Sequence, residues 1–216
     1  MITATDSKLH WNYFLALEQD LEKTSRYIEF CETNFDVFSI ELAHLLFAAA
    51  SEVDVLAKCI CEIVKPEAPR ENILHYQSVF STAAALPAND AAHIPNIATM
   101  EILIPRYGMK FKPWENWFNK KTPNWWDSYN HVKHERNHYF NEATLKNALN
   151  AMGALLILNF HYCRLIYVRG LSDFSRLYAY SETYVARRLL RPESTLLRLP
   201  EDCYATVSER QSAYGR

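Results

Sequence analysis

The sequence predicts an all-α protein: a bundle of four to five helices, with a long irregular loop before the penultimate helix and an irregular C-terminal tail. Three observations carry this expectation. Apolar residues recur at helical spacing in several long stretches. Prolines gather between those stretches rather than inside them. The composition, 49% hydrophobic and 22% charged over 216 residues, is that of a globular chain long enough for one well-buried domain.

The elements follow in order. Thr5 or Asp6 can cap a first helix running to about Phe30, which carries Trp11, Phe14, Leu15, Leu17, Leu21 and Ile28. "CETNFD" interrupts it. A second helix extends from about Asp36 to just before Pro66, with alanines at 48, 49 and 50 suited to close helix–helix approach. "KPEAPRE" is a proline-punctuated turn, and Glu71 to Ser81 reads as a short third helix. From Pro87 to Pro113 the chain has four prolines and no sustained period, so it is expected to be irregular. "WENWF" suits a single turn. Asn124 can cap the next helix, with Asp127 near its positive end, and that helix is expected to reach about Asn137. Asn141 can cap the last long helix, which Arg169-Gly170 would end, a cation followed by glycine. The expected division is a bundle over 1–170 and an extension over 171–216, packed on the bundle or on a partner. Arg187, Arg188, Arg191 and Arg198 make that extension basic.

Several classes of function are disfavoured. Only four glycines occur, and neither GxGxxG nor GxxxxGK[ST] is present, which argues against a glycine-cradled nucleotide site. The net charge of -2 does not imply a broad electropositive surface, although a local basic patch is compatible with it. The five cysteines include no CxxC and read as free thiols of a reducing compartment. Cys163 lies two residues after His161, and such residues do not face each other on a helix, so no Cys–His dyad is expected. The N-terminal "MITATDSKLHWNYF" lacks the plan of a signal peptide, and the longest apolar run, Ala151 to Leu158, falls well short of a membrane span. A cytoplasmic protein without membrane association is expected, and no cofactor is implied.

The chemistry concentrates in "NWWDSYNHVKHERNHYF", Asn124 to Phe140. On one continuous helix, Asp127, His131, His134 and His138 would share a face. Pairs four apart can chelate one ion, but all four cannot converge, and a metal would need a ligand from another helix such as Glu52, Asp54 or His161. No metal site is therefore assigned. A second stripe holds Trp126, Asn130, Lys133 and Asn137, with Arg136 beside Lys133 and His134. Lysine, histidine and arginine together can bind phosphate and stabilise its charge, and an imidazole can move a proton near neutrality. The competing reading is structural: Glu41, Glu52 and Asp54 lie in the otherwise apolar second helix and need partners, which Lys133 or Arg136 could supply. Trp114, Trp117, Trp125 and Trp126 could stack bases, but such tryptophans more often seal a core.

The pattern WW-x-x-YN-x-x-KH-x-R, Trp125 to Arg136, followed by F-x-x-A and a long apolar helix, resembles a group of bacterial proteins of the HEPN-like helical superfamily (higher eukaryotes and prokaryotes nucleotide-binding). "SIELAHLLFAAASEVDVLAKCICE" is similar to that group's second helix, so the resemblance spans about Leu9 to Tyr167. It implies a compact four-helix core, a homodimer with polar sites beside each other across the interface, and for many members metal-independent RNA cleavage in toxin or defence systems. Other members are non-catalytic scaffolds. Catalytic members carry an arginine followed by four to six residues and a histidine. Arg136 has no histidine at that distance, and the one match, Arg70 to His75, lies before the third helix. With 13 arginines and 8 histidines in the chain, about 1.4 such matches arise by chance.

The expectation is thus a HEPN-like protein that binds, and in its catalytic form cleaves, RNA or another phosphate-bearing ligand. His134 would be the acid/base, Lys133 and Arg136 the phosphate clamp, and Asn130 the group orienting His134. The alternative is a non-catalytic interaction module, contacting another protein, in which the same residues join a buried polar network.

Overall fold

A computed structural model of the chain describes residues 7–88, 90–115, 117, 121–174, 196–200 and 203. The expected helical bundle is present, and it carries a small antiparallel hairpin in addition. Its helices are α1 (Ser7–Thr24), α2 (Ile40–Val64), α3 (Ile73–Ala85), α4 (Asn124–His134), the short α5 (Arg136–Tyr139) and α6 (Leu145–Phe174). Strands β1 (Ile102–Ile104) and β2 (Met109–Phe111) lie between α3 and α4.

The bundle is organised around α2 and α6, which pack along each other, with α1 and α4 against that pair and α3 against α2. Both central helices bring small residues to the interior: Ala49, Ala50 and Ala57 from α2, Ala148, Ala151 and Ala154 from α6, all buried. Leu42, Leu46, Val53, Leu56, Leu155 and Ile157 fill the space between; each such side chain contributes about 1.5–3 kcal/mol when removed from water. The stretch Leu145–Ile166 is long and apolar enough to cross a membrane by length and composition, and most of it is buried inside this fold.

Helix boundaries shift where a better cap lies nearby. Helix α2 begins after Ser39, whose hydroxyl accepts the Leu42 N–H, rather than near Asp36, because Phe38 is drawn into a bridge with Thr144. Helix α3 begins after Asn72, whose side chain accepts the N–H groups of Leu74 and His75. Helix α1 ends at Thr24, short of Phe30, and the Thr5 and Asp6 caps lie outside the described residues. Thr144, not Asn141, caps α6 through the Asn147 N–H. At its other end α6 runs through Arg169-Gly170 to Phe174. A helical glycine costs only about 1 kcal/mol, which favourable packing can outweigh.

The segment expected to be wholly irregular contains the hairpin. Ile102 pairs with Phe111 and Ile104 with Met109, and the turn closes at Gly108 in the left-handed region, φ 62°. Ile102 and Ile104 are buried. The hairpin sits on α6 at Gly153, where a Cβ would come within 2.9 Å of both Phe111 and Pro113. Part of the C-terminal extension docks here. Arg198 exchanges both backbone hydrogen bonds with Leu103, and the N–H groups of Leu196 and Leu197 donate to the Glu18 carboxylate, 2% exposed. Leu196, Leu197 and Leu199 are buried. Arg187, Arg188 and Arg191 lie outside the described residues.

Candidate functional site

The buried face of α4 is Trp125, Trp126, Ser128, Tyr129 and Val132, which leaves Asn124, His131, Lys133 and His134 on the outer side. Pro123, not Asn124, occupies the N-cap position, and its carbonyl accepts the N–H groups of Trp126 and Asp127. Asp127 accepts a hydrogen bond from the Thr122 hydroxyl.

The expected continuous helix to Asn137 does not form. It stops at His134, and Glu135 leaves helical geometry with φ −134° and ψ 45°. The stretch His134 to His138 has no apolar side chain to bury, and the chain must turn so that the Leu145 and Lys146 N–H groups reach the carbonyls of Val37 and Phe35. The break separates His138 from the face of Asp127, His131 and His134. His131 faces the Glu142 carboxylate at 3.0 Å and lies beside the Tyr139 ring, 4.7 Å between centroids. Among the described residues, no group of three or more His, Cys, Asp or Glu side chains is placed to hold a metal ion.

The cations of this segment are exposed and rest on aromatic rings. Lys133 Nζ lies 5.2 Å from the centroid of Tyr129 and donates to its hydroxyl at 3.2 Å. The Arg136 guanidinium lies 5.2 Å from the centroid of Phe47, a residue of α2. The two rings meet edge to face, 6.0 Å apart, so one aromatic pair carries both cations. Neither cation has a carboxylate partner within 4.0 Å among the described residues. His134 is exposed between them in sequence. Asn130 is half-buried, and its amide donates to the Trp126 carbonyl at 3.0 Å rather than to His134. Tyr129 as a support for Lys133 is legible from its spacing of four. Phe47 carries no such signal, since only the tertiary fold brings it under Arg136.

Of the α2 carboxylates, Glu52 and Asp54 are paired elsewhere and Glu41 is exposed to solvent. Glu52 pairs with His10 of α1. Asp54 accepts from the Tyr76 hydroxyl at 2.6 Å and from Lys58. Glu41 lies 4.0 Å from His44. A half-buried polar network thus exists, built from residues other than Lys133, His134 and Arg136. Burial, and after it the Asp54 hydrogen bond, raise the Tyr76 hydroxyl far above its ordinary range.

Other sequence candidates have structural partners. Arg70 donates to the Pro66 carbonyl and approaches Glu62 at 3.9 Å, while His75 faces Glu71 at 2.6 Å. Trp114, Trp117, Trp125 and Trp126 are buried in the core, with Trp114 and Trp117 4.6 Å apart, so they offer no stacking platform. None of the five cysteines forms a disulfide, and burial pushes the Cys61 and Cys163 thiols up to about 12. His161 Nε2 lies 3.1 Å from Met100 Sδ, and burial, then the charges of Arg164 and His93, lower its imidazole to about 3. Two open hollows, of about 520 and 340 Å³, lie away from the Lys133–Arg136 edge. No family model matches the chain, and neither a curated protein nor a solved structure matches it significantly, so the resemblance to HEPN-like proteins rests on the sequence pattern alone.

Proposed function

We propose that this chain engages RNA, or another ligand bearing phosphate, at the edge formed by Lys133, His134 and Arg136. The supporting observation is that Lys133 and Arg136 are exposed and held on the Tyr129–Phe47 pair without carboxylate partners among the described residues. An exposed cation–π contact contributes about 0.5–1 kcal/mol and leaves the charge intact, so each side chain is oriented without being neutralised. A phosphate arriving between them would gain charge-assisted hydrogen bonds and would displace no ion pair. In the catalytic form of the reading, His134 takes the proton of a ribose 2′-hydroxyl as that oxygen attacks the adjacent phosphorus. The bond to the 5′-oxygen breaks, a proton from water reaches that oxygen, and the products are a cyclic phosphate and a 5′-hydroxyl end. Lys133 and Arg136 would carry the extra negative charge at phosphorus.

A second reading, binding without catalysis, is favoured by the position of Asn130, whose bond to the Trp126 carbonyl leaves His134 unoriented by it. Titrating a labelled single-stranded RNA, and separately scoring its cleavage with chelator present, distinguishes the two. The binding proposal expects affinity that falls as salt rises and drops in Lys133→Ala and Arg136→Ala. The catalytic form expects cutting that His134→Ala abolishes while binding persists. RNA affinity unchanged in both cation variants would remove the proposal.

A further inference from the structure

The C-terminal stretch "LLRLP", Leu196 to Pro200, sets leucines two apart around an arginine, the alternation of a strand with one buried side. The fold uses it so: Leu197 and Leu199 are buried, Arg198 between them is exposed, and Leu196 is buried ahead of them. The segment lies along the edge of β1 away from β2. There Leu103 accepts the Arg198 N–H at 2.9 Å and donates to the Arg198 carbonyl at 2.8 Å. Adding an extended segment to an open strand edge is a general mode of peptide recognition. Backbone bonds give affinity, and side-chain pockets give specificity.

The second wall is α1, through Glu18. This side chain is 2% exposed, and one of its oxygens accepts the N–H groups of Leu196 and Leu197, at 3.1 and 2.8 Å. A carboxylate in so apolar a place is costly unless donors meet it, and these donors arrive from 178 and 179 residues away. They are backbone groups, which any extended peptide supplies. By contrast, α1, α2 and α4 pack on α6 helix against helix, without this segment between them. The groove therefore reads an extended backbone and the spacing of its leucines. We propose that the α1–β1 groove is an exchangeable peptide-docking site: Leu196–Leu199 fills it in cis, and the same segment offered in trans takes its place.

The test uses a labelled peptide of residues 191–202 with the full chain, as wild type and as Leu197→Asp/Leu199→Asp, which weakens the chain's own tail. Fluorescence anisotropy should show one-to-one binding to the double variant. It should be at least about tenfold tighter than to wild type, where the resident segment competes. Methylating the peptide nitrogen at the position of Arg198 removes the donor to Leu103 and should weaken binding at least about tenfold. Should circular dichroism show that the double variant does not fold, hydrogen exchange on wild type decides. Excess peptide should speed exchange of the chain's own Arg198 N–H while the Leu103 N–H stays protected, because one strand replaces another. The proposal is overturned if the folded double variant does not saturate, if the methylated peptide binds equally well, or if excess peptide leaves Arg198 exchange unchanged.

Discussion

Two sets of charges meet α2, and they are served differently. The carboxylates of Glu52 and Asp54 lie half-buried and are answered from within the bundle, by His10, Tyr76 and Lys58. The cations Lys133 and Arg136 lie at the outer edge and are answered by rings rather than by acids. Had the carboxylates reached the cations, the edge would be an internal ion network, and its removal would strand buried charge at a cost of about 3–5 kcal/mol. Because each carboxylate found a nearer partner, the cations keep their charge facing solvent. The contrast separates half-buried charges paired within the bundle from exposed charges at its edge.

Mutations in the interior should give the largest effects. Trp114→Ala removes a fully buried ring packed against Trp117 and Trp125, and should cost about 3–5 kcal/mol in urea unfolding. A cost below about 1 kcal/mol would mean that the aromatic cluster does not seal the core.

Acid should act next. The folded state holds His161 neutral down to about pH 3, whereas the unfolded chain takes up that proton below about 6.5. The stability this group contributes is complete above about pH 6.5 and falls by about 1.4 kcal/mol per unit as pH drops toward 3. Unfolding followed between pH 7 and 4.5 should show that slope in wild type and a flatter one in His161→Gln. Equal slopes would show that another group controls acid stability.

Tyr76→Phe removes the hydroxyl that answers Asp54 and should cost about 1 kcal/mol, with Lys58 still in place. It should leave RNA affinity unchanged. A loss of affinity there would erase the distinction between the inner network and the outer edge.

Much of the helical fold is legible in the sequence, whereas the separation of inner carboxylates from outer cations is not, and the limits are physical. Long amphipathic periods locate α1, α2 and α6, since burial of one face shows at single-sequence level. Ile102-Leu-Ile and Met109-Lys-Phe are too short for a period to stand out, and Pro105 and Gly108 read as loop punctuation although they build a hairpin turn. Within Asn124 to Phe140, the Tyr129–Lys133 contact is local enough to be readable, because the two lie four residues apart on α4. The break of that segment at Glu135 was not legible. That break depends on where Val37 and Phe35 wait for the start of α6, a contact more than a hundred residues distant in sequence. The same holds for Phe47 under Arg136.

The most direct test measures stability and RNA affinity on one variant, Lys133→Ala/Arg136→Ala. Both side chains are exposed and, among the described residues, make ring contacts and one hydrogen bond to Tyr129, so stability should fall by no more than about 1–2 kcal/mol. Affinity for single-stranded RNA at low salt should fall at least about tenfold, with a shallower salt dependence. A variant that binds RNA like wild type, or one that loses its fold, would contradict the assignment of this edge to ligand binding.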